Sequence, residues 1–139
     1  MPIDYEIDPA RNLLHSVFNG VVSPDDILAF YCEISRQEHF HESCRQLADF
    51  HGVESPEWTA ADMKRVLEDD PFGPGARRAF VGPQDLVFAL ARMFSAYAAT
   101  SGRGGEVGVF RTLREAEDWL GLEAGSASAP DLQGTGRSA

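Results

Sequence analysis

Residues 78–122 read RAFVGPQDLVFALARMFSAYAATSGRGGEVGVFRTLREAEDWLGL, and this stretch decides the fold. It begins with a short apolar strand at residues 79–81, which runs into a long apolar helix at residues 86–99. After a glycine-rich loop, a second strand covers residues 106–110, and a last helix ends at Gly121, a residue type that commonly terminates helices. Strands separated by helices predict parallel pairing through crossover connections.

The first half of the chain continues this alternation. Residues 5–8 and 13–22 predict a β-hairpin, because two strand-like runs flank a turn-rich segment at residues 9–12. A helix follows from Ser23, then a strand over residues 46–51, and then a second helix. The sequence therefore predicts an α/β fold with the order β-β-α-β-α-β-α-β-α. Its sheet is mixed but mostly parallel, carries an N-terminal hairpin, and is apolar on both faces.

Three of the helices begin with the pattern of a capping box, in which a Ser or Thr precedes an acidic residue by three positions. The pairs are Ser23 with Asp26, Thr59 with Asp62, and Thr112 with Glu115. Because the side chain of a capping residue satisfies a free backbone N–H, each pair predicts where its helix begins.

Length and composition are typical of one globular domain. The chain has 139 residues, of which 43% are apolar and 24% are charged, enough for one hydrophobic core. We assign residues 1–123 to a single domain. Residues 124–139 are rich in Gly, Ser, Ala and Pro and cannot bury enough apolar surface to offset the entropy of ordering. We therefore predict a disordered tail there.

The formal charge of −10 argues against a nucleic acid or an anionic membrane surface as a partner, since both repel an acidic protein. No run approaches the roughly 18 apolar residues that span a bilayer. The first residues lack the basic segment and apolar core of a signal peptide. A cytoplasmic location is the resulting expectation.

The sequence contains few groupings that suggest chemistry. Cys32, His39, His41 and Cys44 lie within about a dozen residues, but their spacing matches none of the closed zinc patterns. There is no Gly-x-Ser-x-Gly elbow, and neither cysteine has the neighbours of a known catalytic motif. We predict no catalytic residue, no metal and no cofactor.

An ordered succession of short segments runs through residues 3–122. The segments are FNG (18–20), SPDDIL (23–28), Asp49, RRAFV (77–81), ARMF (91–94), VFR (109–111) and EAEDWLG (115–121). In this order they resemble the SpoIIAA-like family, a branch related to the STAS (sulfate transporter and anti-sigma antagonist) domains. The resemblance implies the same mixed α/β fold, and it implies a non-enzymatic regulatory or interaction module in a bacterium.

The resemblance also raises the question of a phosphorylation switch. In anti-sigma antagonists a Ser or Thr at the start of the helix after the third strand is phosphorylated, and the added charge blocks partner binding. Ser55 and Thr59 are the nearest hydroxyls here, but the Asp-Ser-Ser-Gly or Asp-Thr-Ser-Gly signature is absent. Thr59 is accounted for as a helix cap and Ser55 as a loop residue, which makes both weak phospho-acceptor candidates.

The long helix at residues 86–99 carries more apolar surface than one sheet can cover. Its apolar residues span an arc of about 200°, against the roughly 100° that suits a helix lying on a sheet. Phe88 projects from the remaining face together with Arg92 and Ser95. A flanking helix, a symmetric partner or an apolar ligand would each account for the excess. We prefer a homodimer, with Phe88, Arg92 and Ser95 as interface candidates.

The sequence thus predicts a cytoplasmic, non-enzymatic regulatory or protein-interaction module that binds a protein partner and associates with itself. The alternative is a domain that binds a small apolar ligand or a lipid tail between the sheet and the helices. An enzyme is the third interpretation.

Overall fold

The computed structural model describes residues 2–54 and 56–123, which form one five-stranded sheet and four helices. The strands are β1 (Ile3–Asp8), β2 (Leu13–Gly20), β3 (Arg45–Val53), β4 (Arg77–Val81) and β5 (Glu106–Phe110). The helices are α1 (Pro24–Ser35), α2 (Ala60–Glu68), α3 (Asp85–Ser101) and α4 (Leu113–Leu120). The predicted fold class and order of elements are confirmed.

The strands lie in the sheet in chain order, β1-β2-β3-β4-β5. β1 and β2 pair antiparallel as the predicted hairpin, and each later strand pairs parallel to its predecessor. Parallel crossovers are right-handed, and a sequential order repeats the same step each time. As a result α1, α2 and α3 contribute to one core, whereas α4 packs on the opposite face.

Each central strand supplies side chains to both faces, because successive residues of a strand point in opposite directions. In β4, Phe80 belongs to the core beneath α1, α2 and α3, whereas its neighbours Ala79 and Val81 belong to the core beneath α4. The same division separates Leu14 from Leu13 in β2. This confirms the prediction that the sheet is apolar on both sides.

The three predicted capping boxes all form. The side chains of Ser23, Thr59 and Thr112 each accept a hydrogen bond from the backbone N–H three residues later. The carboxylate of that later residue accepts a hydrogen bond from the backbone N–H of the capping residue. Element ends differ slightly from the prediction. β2 stops at Gly20 rather than residue 22, because Gly20 takes a left-handed φ of 72° that ends the extended run.

Candidate functional site

An apolar pocket lies between the sheet and the three helices that cover it. Its cavity measures about 110 Å³. β3 and β4 form the floor, α1 and α3 form opposite walls, and α2 forms the roof with Met63 and Val66. α2 packs against its neighbours α1 and α3, and the pocket lies between this helix and the sheet.

α2 is fixed at both of its ends. Thr59 caps its N-terminus, and at its C-terminus the Arg103 guanidinium donates to the backbone oxygens of Leu67 at 3.3 Å and Glu68 at 2.7 Å. A guanidinium satisfies carbonyls that no longer have a partner within the helix and complements the negative end of the helix dipole. The roof of the pocket is therefore anchored.

Four phenylalanine rings form a continuous row across the floor of the pocket and into the wall formed by α3. Phe18 stacks on Phe50 with ring centroids 4.4 Å apart, and Phe50 meets Phe80 edge-on at 5.3 Å. Phe80 then stacks on Phe94 of α3 at 5.7 Å. Such geometries are favourable for aromatic pairs and hold the rings in place. The row presents ring faces and edges to the cavity.

Trp58 stands at the margin of the pocket, in the segment before α2. Its indole Nε1 donates a hydrogen bond of 2.9 Å to the backbone oxygen of Val22, and the ring is half-buried. Both residues line the cavity, as does Pro56. This bond ties the segment before α2 to the segment before α1 at the carboxyl end of the sheet.

The floor of the pocket contains a buried polar cluster around Arg78. Its Nη1 donates to Asp70 Oδ2 at 2.7 Å and to the Gly104 oxygen at 2.9 Å. Its Nε donates to Gln46 Oε1 at 2.8 Å, and Nη2 donates to the Tyr31 hydroxyl at 3.3 Å. The side chains of Arg78 and Asp70 are 1% and 0% exposed, so this ion pair is removed from water.

The other members of the cluster are also bonded. The Tyr31 hydroxyl donates to Asp70 Oδ2 at 3.0 Å, and the second oxygen of Asp70 accepts from the Phe72 N–H at 2.9 Å. The Phe72 ring lies 4.0 Å from the guanidinium carbon of Arg78. Buried ions are tolerated when an opposite charge and hydrogen bonds replace their hydration, and this cluster supplies both.

The protonation states of the floor follow from this arrangement. Burial lowers the pKa of Arg78, but the Asp70 charge and the bonds to Tyr31 and Asp70 outweigh that effect, and the pKa lies above its ordinary value. Burial, followed by the Asp70 charge, raises the pKa of the Tyr31 hydroxyl well above its ordinary range. At neutral pH Arg78 is therefore a guanidinium cation paired with Asp70, and Tyr31 is an uncharged phenol.

The residues predicted as interface candidates lie elsewhere, on α3. The Phe88 ring is half-buried beneath the Arg111 guanidinium, whose carbon is 4.0 Å from the ring centroid. Ser95 Oγ donates to the Val107 oxygen of β5 at 2.8 Å, and Arg92 is exposed. Leu86 and Met93 of the same helix are 56% and 39% exposed. The apolar excess of α3 thus reaches solvent at Leu86 and Met93.

Of the two phospho-acceptor candidates, Thr59 lies within the described residues. The Thr59 hydroxyl accepts from the Asp62 N–H at 3.1 Å and is engaged as the cap of α2. Ser55 lies outside the described residues, as does the predicted tail at residues 124–139.

The cysteines and histidines considered for zinc do not gather. Cys44 is buried, which raises the pKa of its thiol to about 11. Cys32, His39 and His41 are exposed. Within residues 2–54 and 56–123, no group of three or more His, Cys, Asp or Glu side chains is placed to hold a metal ion. In the same part of the chain, no helix combines the length and apolarity needed to cross a bilayer.

Another buried polar residue, His15, lies on the opposite face of the sheet. His15 of β2 is 9% exposed, and its Nε2 has no hydrogen-bond partner among the residues that the structure describes. Burial lowers the pKa of His15 below its ordinary value, against the opposing influence of Asp49 and Glu117. The imidazole is therefore neutral at physiological pH.

Sequence reasoning missed the polar floor of the pocket. Its members Tyr31, Gln46, Asp70 and Arg78 come from α1, β3, the segment after α2, and β4, so no local motif connects them. One signal was available in the sequence. Arg78 and Phe80 are two residues apart in a short apolar strand, so the arginine lies on the same face as a core aromatic. A buried arginine requires a buried carboxylate.

Comparisons with known proteins support the fold. The chain matches the crystal structure of an uncharacterised protein of the DUF3478 family with a SpoIIAA-like fold, from Shewanella loihica PV-4. The two share 21% identity with a TM-score of 0.54, over 85% of this chain and 93% of that one. Neither the models of known protein families nor the curated proteins give a match. The chain therefore has a SpoIIAA-like fold.

Proposed function

We propose that this protein is a non-enzymatic module that binds a small apolar ligand in the pocket beneath α2. The observation that carries the proposal is a formed cavity of about 110 Å³ between the sheet and α1, α2 and α3. Its walls are aromatic and aliphatic, with a few polar groups gathered at the floor. This combination is typical of sites that bury a small molecule and orient it by a few polar contacts.

The volume indicates the size of the ligand. An apolar cavity of about 150 Å³ in another protein stays dry and holds benzene, so a cavity of similar order accepts a single ring. The row formed by Phe18, Phe50, Phe80 and Phe94 also favours a ring over an alkyl chain, because aromatic pairs gain energy beyond the area they bury.

The polar groups at the floor are bonded to one another, which suits them to orient a ligand. The two ions at the floor, Arg78 and Asp70, are bonded to each other at 2.7 Å, and the Tyr31 phenol stays protonated. Groups held in this way can orient a ligand, whereas a general base or nucleophile needs a free, activated atom. We infer that ligand occupancy serves a regulatory role, in which the filled pocket alters binding of a protein partner.

The test uses toluene, decanoate and a cavity-filling variant. Trp58 lines the pocket, and Trp119→Phe leaves it as the only tryptophan of the chain. We expect toluene to shift Trp58 fluorescence saturably and decanoate to have little effect. Ala91 is 7% exposed and lines the cavity, so Ala91→Leu should fill it and weaken toluene binding at least about tenfold.

The matched control is Ala89→Leu, the same substitution on the exposed side of the same helix. It should leave toluene binding unchanged. The proposal fails if toluene and decanoate both leave Trp58 unaffected, or if Ala89→Leu reduces binding as much as Ala91→Leu does.

A second candidate function is self-association through α3. It is favoured by Leu86 and Met93, which are 56% and 39% exposed and, seven residues apart, share one face of α3. Exposed apolar patches commonly mark contact surfaces. Phe88, Arg92 and Ser95 remain the proposed contacts on the neighbouring flank of the helix. A homodimer in a cytoplasmic protein is compatible with ligand binding, because the exposed face of α3 and the pocket lie on different sides of that helix.

A further inference from the structure

The guanidinium at the floor of the pocket has one N–H more than its protein partners use. An arginine side chain carries five N–H hydrogens. Nε donates to Gln46, Nη1 donates to Asp70 and Gly104, and Nη2 donates to Tyr31. Among the residues that the structure describes, the second hydrogen of Arg78 Nη2 meets no acceptor, and Arg78 lines the cavity.

A second donor of the same kind comes from Gln46, which also lines the cavity. Its Nε2 donates one hydrogen to Ser16 Oγ at 3.0 Å, while its Oε1 accepts from Arg78. The other amide hydrogen has no acceptor within residues 2–54 and 56–123. Gln46 is 1% exposed, so this hydrogen lies away from the protein surface. Two neighbouring buried side chains therefore each hold a spare donor.

The charge at the floor is already balanced. Asp70 neutralises Arg78 at 2.7 Å, and both side chains are essentially removed from water. A ligand carboxylate would bring a second negative charge against one guanidinium and would leave the site with a buried net charge, which is costly. A neutral acceptor can bond to the spare donors without that cost.

We propose that the ligand is an uncharged aromatic molecule carrying one hydrogen-bond acceptor, such as a carbonyl oxygen attached to a single ring. This inference rests on the proposed function, since it requires that the pocket binds a small molecule. The ring lies against the row of phenylalanines, and its acceptor receives hydrogen bonds from Arg78 Nη2 and Gln46 Nε2. The site selects against anionic relatives of the same size.

The experiment compares three single-ring compounds by titration calorimetry on the full chain: acetophenone, cumene and benzoate. Acetophenone and cumene have nearly the same shape, but only acetophenone has an acceptor. Each association constant is divided by the compound's partition coefficient for transfer from water to cyclohexane. This removes the difference in hydrophobicity between the compounds, because cyclohexane offers no hydrogen-bond donor. We expect the corrected affinity of acetophenone to exceed that of cumene at least about tenfold, as a hydrogen bond to a charged group allows. Benzoate should bind at least about tenfold more weakly than acetophenone.

Two variants assign the effect to the floor. Gln46→Glu removes the spare amide hydrogen but keeps an oxygen that accepts from Arg78 Nε, so it should reduce the corrected preference for acetophenone. Gln84→Glu, at a glutamine whose amide bonds to His51 outside the pocket, should leave that preference unchanged. Asp70→Asn removes the balancing charge and should shift the preference toward benzoate at least about tenfold. Circular dichroism verifies that each variant is folded.

The outcomes separate this inference from the proposed function. If acetophenone and cumene bind in proportion to their partition coefficients, or if benzoate binds best to the wild type, the inference is wrong while the pocket remains a binding site. If none of the three binds, the proposed function fails as well. Where a variant does not fold, the three compounds on the wild-type chain still decide.

Discussion

Arg78 determines the character of the pocket more than any other single residue. Moving a guanidinium and a carboxylate out of water is costly, and their attraction offsets this only when further hydrogen bonds satisfy the remaining donors and acceptors. Arg78 has Asp70, Gln46, Tyr31 and Gly104 for this purpose. Replacing one ion of such a pair leaves the other as a buried charge without an opposite charge beside it. Asp70→Asn should therefore lower the free energy of unfolding, even though the two side chains have nearly the same shape.

His15 gives a prediction about pH. Its folded-state pKa is lowered, chiefly by burial, whereas in the unfolded chain it takes the ordinary value of 6.5. As the pH falls, His15 therefore takes up its proton at a higher pH in the unfolded state than in the folded state. Its contribution to the free energy of unfolding is greatest above pH 6.5 and falls as the pH drops through that value. Urea denaturation between pH 7.5 and 5.5 should show this loss, and His15→Gln should reduce its slope.

The matched control is His41→Gln, which removes an exposed imidazole. It should leave the slope of unfolding free energy against pH close to that of the wild type. An equal slope in the wild type and His15→Gln would show that protonation of His15 does not contribute.

At the scale of elements, what could be predicted from the sequence was what depends on local signals. The capping residues Ser23, Thr59 and Thr112 determine where three helices begin, and the two-residue alternation of the strands determines which side chains share a face. The position of α2 was not predictable in this way. It depends on how α1 and α3 are spaced across the sheet, a distance that no local pattern records.

The same reasoning explains why the pocket was anticipated only as an alternative. The apolar excess of α3 was visible in the sequence, but the choice between a partner chain and a ligand required the surroundings of each side chain. Ala91 and Phe94 turn out to line the cavity, whereas Leu86 and Met93 reach solvent. The excess therefore divides into two parts, one facing the pocket and one facing outward.

The outward part of α3 carries a prediction about self-association. Met93→Asp places a charge on an apolar residue that is 39% exposed, so it should dissociate a homodimer without affecting the fold. Phe94→Asp, one position further along, alters a side chain that is 6% exposed and should unfold the domain. Sedimentation and circular dichroism on both variants give the answer.

Phe88→Asp tests the flank indicated by the sequence. We expect a smaller effect than for Met93→Asp, because the Phe88 ring already packs against Arg111. A monomeric wild type would remove self-association from consideration, and a dimer unaffected by either substitution would place the contact elsewhere on the surface.

At the scale of the whole molecule, the sequential order of the strands produces the asymmetry between the two faces. Three crossovers of the same hand put three helices on one side, where they enclose the pocket, and leave α4 alone on the other. On the face with three helices, α2 packs against α1 and α3, and the pocket lies beneath it. The pocket lies on the face with three helices, so we propose that the ligand binds on the side opposite α4.

The last prediction concerns residues 124–139, which we assigned to a disordered tail from their composition. Deleting them should change the thermal midpoint by less than about 3 °C, because a segment poor in large apolar residues contributes little burial. Binding of toluene should also be unchanged, since the lining residues that the structure describes all lie between Phe18 and Phe94. A fall of more than about 4 °C corresponds to roughly 1 kcal/mol in a domain of this size and would show that the tail packs against the rest of the chain.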